Sequence, residues 1–135
     1  SVTIHAEATI DIRGTLKAIR SNGARASLAL KPKTLLDPYL EFLDELDMLL
    51  IMTVEPGFGG QKLIESTLDK VLQARKLIDH ASLDCWLQVD GGIDSSTITR
   101  AAAAGADTFV AGNAVFGAAD RNLQIRTLRS LAEQA

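Results

Sequence analysis

Four short stretches of this chain carry residue types able to do chemistry. The first is Gln88-Val89-Asp90-Gly91-Gly92-Ile93, in which an apolar run ends in a lone carboxylate and two glycines. Gly91 and Gly92 have no Cβ, so their backbone can approach a ligand closely and adopt positive φ. Their N–H groups, with a helix N-terminus behind them, form a candidate phosphate seat. Asp90 is then an acceptor at a strand mouth, open to three roles: general base, metal ligand or helix cap. The second stretch, Gly57-Phe58-Gly59-Gly60, can turn several N–H groups toward an anion without a positive side chain. The third is Gly112-Asn113, read as another loop after a strand. The fourth is His5-Ala6-Glu7, whose two polar residues lie two apart and so share one side of a strand. There is no Gly-Lys-Ser/Thr signature, which argues against a nucleoside triphosphate site.

Five strands are expected to position these groups. They are Val2–Ala6, Ala26–Leu30, Met48–Val54, Cys85–Val89 and Asp107–Ala111, each β-branched or continuously apolar. Helices are expected over 12–21 (closed by Asn22-Gly23), 37–46, 66–79, 96–104 and 120–133. Asp37-Pro38 reads as an N-cap followed by proline at the first helical position. Met52 stands near a strand end as part of an apolar wall. Cys85 reads as a small buried residue, and Arg75 as a snorkelling side chain.

Strict strand–helix alternation predicts an α/β fold with a parallel sheet in one domain over 1–135. The glycines choose between two such folds. A dinucleotide-binding sheet places its glycine fingerprint after the first strand. Here that strand runs into His5-Ala6-Glu7, and the glycine loops come late, after the third, fourth and fifth strands. Phosphate loops near the end of the chain fit a (β/α)8 barrel, which needs eight strands and typically ~250 residues. This chain of 135 residues is therefore expected to be a partial barrel of about five βα units. Its first residues read as the middle of a strand, as a fragment's would.

A net charge of -3 and the absence of clustered Lys and Arg give no footprint for nucleic acid. No run is long and apolar enough to span a bilayer, and the first residues do not resemble a signal peptide. Cys85, the only cysteine, forms no internal disulfide and is compatible with a cytoplasmic setting.

Taken together, Thr3-Ile4-His5-Ala6-Glu7-Ala8, Met52-Thr53-Val54-Glu55-Pro56-Gly57-Phe58-Gly59-Gly60-Gln61, Val89-Asp90-Gly91-Gly92-Ile93 and Ala111-Gly112-Asn113-Ala114-Val115-Phe116 resemble the ribulose-phosphate 3-epimerase family. The resemblance runs in order along essentially the whole chain and matches the fourth to eighth units of that barrel. It implies an isomerase of carbohydrate metabolism, in the pentose phosphate pathway, that interconverts D-ribulose 5-phosphate and D-xylulose 5-phosphate. The implied reaction is two-base proton transfer through an enediolate, assisted by a divalent metal. Zinc or iron is the expected metal, with manganese or cobalt as alternatives.

Carried over residue by residue, the resemblance makes Asp90 both a metal ligand and one of two acid/base aspartates. The other aspartate and both histidine ligands belong to units not matched here. Phosphate is assigned to Gly57, Phe58, Gly59, Gly60, Gly91, Gly92, Gly112 and Asn113, with His5 and Met52 near the site. Asn113 stands where serine is usual, so a hydroxyl contact is lost while the N–H remains. One carboxylate cannot invert a carbon from both faces, so the chain alone is expected to be inactive. Open sheet edges imply a homo-oligomer or pairing with an N-terminal part. Two other readings remain at this level: an epimerase of a six-carbon ketose phosphate, and a non-catalytic phosphate-binding half-barrel. A flavodoxin-like domain is disfavoured by the late glycine loops.

Overall fold

The computed structural model describes residues 1–135. Five strands, β1 (Val2–His5), β2 (Ala26–Leu30), β3 (Met48–Met52), β4 (Trp86–Asp90) and β5 (Thr108–Val110), form one parallel sheet in the order β1-β2-β3-β4-β5. Each strand–helix unit therefore adds its strand beside the preceding one, with no reversal. A doubly wound sheet reverses its strand order at a switch point. The fold is α/β, a partial (β/α)8 barrel.

Alternation along the strands makes two faces. Leu28, Leu30, Leu49, Ile51, Leu87 and Val89 pack outward into the main core with Leu16, Val71, Ala74, Ile78 and Leu128 of the helices. Those helices are α1 (Ile12–Ser21), α2 (Thr67–His80), α3 (Ile98–Ala103), α4 (Gly112–Phe116) and α5 (Arg121–Glu133). Ala29, Leu50 and Met52 form a smaller cluster on the inner face. Register carries this face across the sheet, pairing His5 with Ala29, Ala29 with Leu50 and Leu50 with Gln88, and one level on Met52 with Asp90 and Asp90 with Val110. Side chains also staple the strand starts. Asp47 accepts from the Ala26 N–H at 2.7 Å, and Asp107 accepts from the Leu87 N–H at 2.9 Å.

Several boundaries differ from the sequence reading, each for a local reason. β1 stops at His5 because Ala6–Ala8 turn into a 3₁₀ helix, so Glu7 leaves the strand. Residues Asp37–Glu45 form a 3₁₀ helix; Asp37 does not cap it but accepts from Gln73 Nε2 at 2.9 Å. β3 ends at Met52, since Thr53 turns to bond the loop after β4. β4 begins at Trp86, one residue past Cys85, and takes in Asp90. β5 lacks both of its expected end residues, Asp107 being held as a staple. α3 starts at Ile98 because Thr97 and Ile98 both donate to the Asp94 carbonyl, closing a turn first. Gly112 and Asn113 are the first turn of α4 and not a loop.

Candidate functional site

One pocket of about 680 Å³ opens at the carboxyl ends of β3, β4 and β5. The segments after those strands line it: Gly57–Gly60, Gly91-Gly92 and Gly112-Asn113, with Met52 and Asp90 beneath them. Eight candidate anion contacts, spread over 57 positions of sequence, are thus gathered into one concavity.

Local bonding explains why these loops present donors. The Thr53 hydroxyl donates to the Gly91 carbonyl at 2.6 Å, and the Thr97 hydroxyl donates to the Gly92 carbonyl at 2.8 Å. Both carbonyls are tied back into the body of the protein. Gly91 and Gly92 hold φ of +124° and +66°, the region that favours glycine. Gln61 Nε2 donates to the carbonyls of Glu55 and Phe58 at 2.7 and 2.9 Å, closing the Gly57–Gly60 loop on itself. The Asn113 side chain lies over Gly59 and Gly60, where an added Cβ would come within 3.3 Å of its Oδ1 and 2.9 Å of its Nδ2. The loop after β3 and the first turn of α4 therefore touch.

The backbone N–H groups of Gly57, Phe58, Gly59, Gly60, Gly91, Gly92, Gly112 and Asn113 donate to no backbone acceptor in the chain. No Lys or Arg lines the pocket, whereas Glu55, Asp90 and Asp94 do. An oxyanion here would be held by peptide dipoles alone. The helix behind Gly91-Gly92 is set back, because α3 begins only at Ile98. The expected dipole support from that helix is therefore absent, and the free N–H groups carry the site.

Asp90 is the chemical group of the pocket. Its carboxylate accepts no hydrogen bond from the chain, and burial alone pushes its pKa above the ordinary value. Asp94 behaves oppositely: Ser96 donates to it from its hydroxyl and its N–H, at 2.6 and 2.7 Å, and these bonds hold it low. The raised Asp90 predicts a pH signature. Below the ordinary value of 3.8, folded and unfolded chains are both protonated and Asp90 costs nothing. As pH rises toward the raised folded value, the unfolded chain loses its proton first and stability falls. Asp90→Asn removes this cost. Urea titrations at about pH 3 and about pH 7 should show the variant gaining on the parent at the higher pH alone, by up to about 1 kcal/mol, since solvent screens the partly open carboxyl. An equal difference at both pH values would contradict the assignment.

His5 does not line the pocket. It lies on the same inner face, in register with Ala29 and Leu50. No three His, Cys, Asp or Glu residues converge anywhere. The donor set at Asp90 is one carboxylate, so these residues do not by themselves fit a metal centre. Sequence reasoning passed over Thr53, Thr97 and Gln61. The one usable signal was Thr53, a hydroxyl in an otherwise apolar run, which must find a partner once buried.

Comparison with known proteins places this geometry. The Ribulose-phosphate 3 epimerase family matches residues 1–116. The Mycobacterium leprae protein named ribulose-phosphate 3-epimerase is 50% identical over 132 residues, covering 98% of this chain and 59% of that protein. The Escherichia coli K12 protein of the same name is 45% identical over 130 residues, covering 96% of this chain and 57% of that protein. The chain thus spans just under three fifths of the length of these curated relatives. Among solved structures, 3-hexulose-6-phosphate synthase from Salmonella typhimurium is similar at a TM-score of 0.71 and 25% identity, covering 98% of this chain and 61% of that one. Thiamine phosphate pyrophosphorylase from Pyrococcus furiosus shares the fold at a TM-score of 0.64 and 19% identity, covering 99% of this chain and 59% of that one. No helix is long and apolar enough to cross a membrane.

Proposed function

The chain belongs to the ribulose-phosphate 3-epimerase family, and from that premise we propose that it forms the fourth to eighth units of an enzyme interconverting D-ribulose 5-phosphate and D-xylulose 5-phosphate. The observation that carries this reading is the gathering, in one pocket, of eight residues whose backbone N–H groups are unpaired, beside a carboxylate whose pKa burial pushes up. The cradle takes the 5-phosphate. Asp90 moves the proton on one face of the carbon next to the ketone, and Met52 gives that end of the pocket an apolar wall.

A second acid/base group on the opposite face has to come from outside these residues, and so do the further ligands of a divalent metal. Asp90 would be the one ligand this chain supplies to such a metal, whose contribution would be that of a Lewis acid. Preceding units are the proposed source of both. β1 and β5 are the two unpaired edges of the sheet. An apolar groove of about 750 Å³, lined by Val115, Phe116, Ile125 and Leu128, lies beside β5. Three more βα units would complete eight strands and cover these surfaces.

The six-carbon alternative has behind it a structural likeness at 25% identity to a protein named a synthase, not an epimerase. The pentulose reading has relatives at 45–50% identity. The test is an epimerase assay on ribulose 5-phosphate, using the chain alone and then mixed with the first three units of a relative. Turnover only in the mixture is the expected result. Turnover of the six-carbon substrate in its place would shift the specificity, and no turnover in a folded mixture would leave the non-catalytic half-barrel.

A further inference from the structure

Beyond the pocket, one charged network reaches the inner face. Lys70 of α2 donates from Nζ to the carbonyls of Lys31 and Pro32, both at 2.9 Å, and to that of Thr34. An ammonium has three donors, and all three are spent on one loop, the one following β2. The other side of that loop is held by Glu7. Its Oε1 accepts from the Lys31 N–H at 3.2 Å and from the Thr34 hydroxyl. Its Oε2 lies 3.5 Å from Nδ1 of His5.

The shifts agree with the geometry. Burial pushes the Glu7 carboxyl up, but the Thr34 hydroxyl, the N–H groups of Glu7 and Lys31, and His5 outweigh it and hold the group low. Burial holds the Lys70 ammonium below its ordinary value, against the opposing pull of Glu7. Nδ1 of His5 is shut off from solvent without a well-formed hydrogen bond, and Glu7 Oε2 is the acceptor beside it. Ile4 packs outward with the core, so His5 is turned to the inner face, and its Nε2 makes no bond within the chain.

We infer that Lys70 and Glu7 are positioning residues that fix the loop 31–34 between opposite charges and thereby set His5 as the Nδ1–H tautomer, with a bare Nε2 facing the barrel interior as acceptor for a sugar hydroxyl. The tautomer follows from the carboxylate beside Nδ1, since the bond made by one ring nitrogen decides which carries the proton. The role toward a hydroxyl rests on the phosphosugar reading; the tautomer does not.

The chain has two histidines, so long-range ¹⁵N–¹H spectra of the whole protein resolve two imidazoles. At about pH 9, where an ordinary imidazole is neutral, His5 should show the Nδ1–H pattern. Exposed His80 should show the Nε2–H pattern of a solvated ring. Glu7→Ala should convert His5 to the His80 pattern, and Lys70→Met should move it most of the way. An Nε2–H pattern for His5 in the unaltered protein overturns the proposal without recourse to any variant. An unchanged tautomer in either folded variant overturns that residue's part. Ribulose 5-phosphate should then shift the His5 Nε2 resonance, and inorganic phosphate should not. Movement of the pocket amides without His5 overturns the hydroxyl contact. If neither moves, the phosphosugar reading falls while the tautomer result stands by itself.

Discussion

In a barrel completed by the three preceding units, Asp90→Asn should lower epimerase turnover by about 10²–10⁴-fold, the range that positioned acid/base groups contribute. The substitution is isosteric. Because the Asp90 carboxylate accepts no hydrogen bond within the chain, nothing structural is lost with it. The phosphate donors are backbone groups on other residues, so substrate affinity should hold, or rise slightly as a negative charge leaves the pocket. A variant whose KM rose as its turnover fell would point to altered binding. Unchanged turnover would remove Asp90 from the chemistry.

The second large effect falls on the backbone beside Asp90. Gly92→Ala should destabilise the chain by about 3 kcal/mol, combining a left-handed residue penalty of ~1–2 kcal/mol with an overpacking cost of ~1–3 kcal/mol. Gly92 sits at φ +66°, and an added Cβ would lie 2.3 Å from the Leu63 nitrogen and 2.8 Å from its Cα. Those are backbone atoms, which cannot swing aside. A melting temperature lower by about 10 °C is the corresponding readout for a domain of this size. Gly112→Ala is the control. It has no positive φ, nothing lies within 4 Å of its added Cβ, and it sits in the first turn of α4, so its melting temperature should match the parent. Equal losses in both variants would mean that general loop stiffness, and not the contact with Leu63, limits the site.

The sheet and most of the pocket were legible in the sequence because each rests on local chemistry. Uninterrupted apolar runs such as Met48–Met52 suit a parallel strand covered on both faces, and that is the place this one takes. Gly91 and Gly92 mark positions that other residues could not hold, and the structure gives both a positive φ. The parts that were not legible depend on distant partners. Asp37 has the look of an N-cap, but its side chain is drawn away by Gln73, 36 residues on. The hydroxyl of Thr53 calls for a partner in an otherwise apolar run, but the sequence does not say which, since Gly91 lies 38 positions later. Lys70 reads as a surface lysine of an amphipathic helix until the loop 31–34 folds over it. His5 and Glu7 were paired by the spacing of a strand that ends before Glu7. They meet across the 3₁₀ turn instead, at 3.5 Å.

On the reading proposed above, this chain holds the phosphate of a ketose phosphate on backbone N–H groups from three segments at once. The most direct test is amide mapping by ¹H–¹⁵N spectra of the chain titrated with ribulose 5-phosphate and, in parallel, with unphosphorylated ribulose. The amides of Gly57–Gly60, Gly91-Gly92 and Gly112-Asn113 should move together along one binding curve with the phosphate ester and stay still with the free sugar. Shifts confined to one segment, shifts equal for both sugars, or none in the folded chain would contradict it.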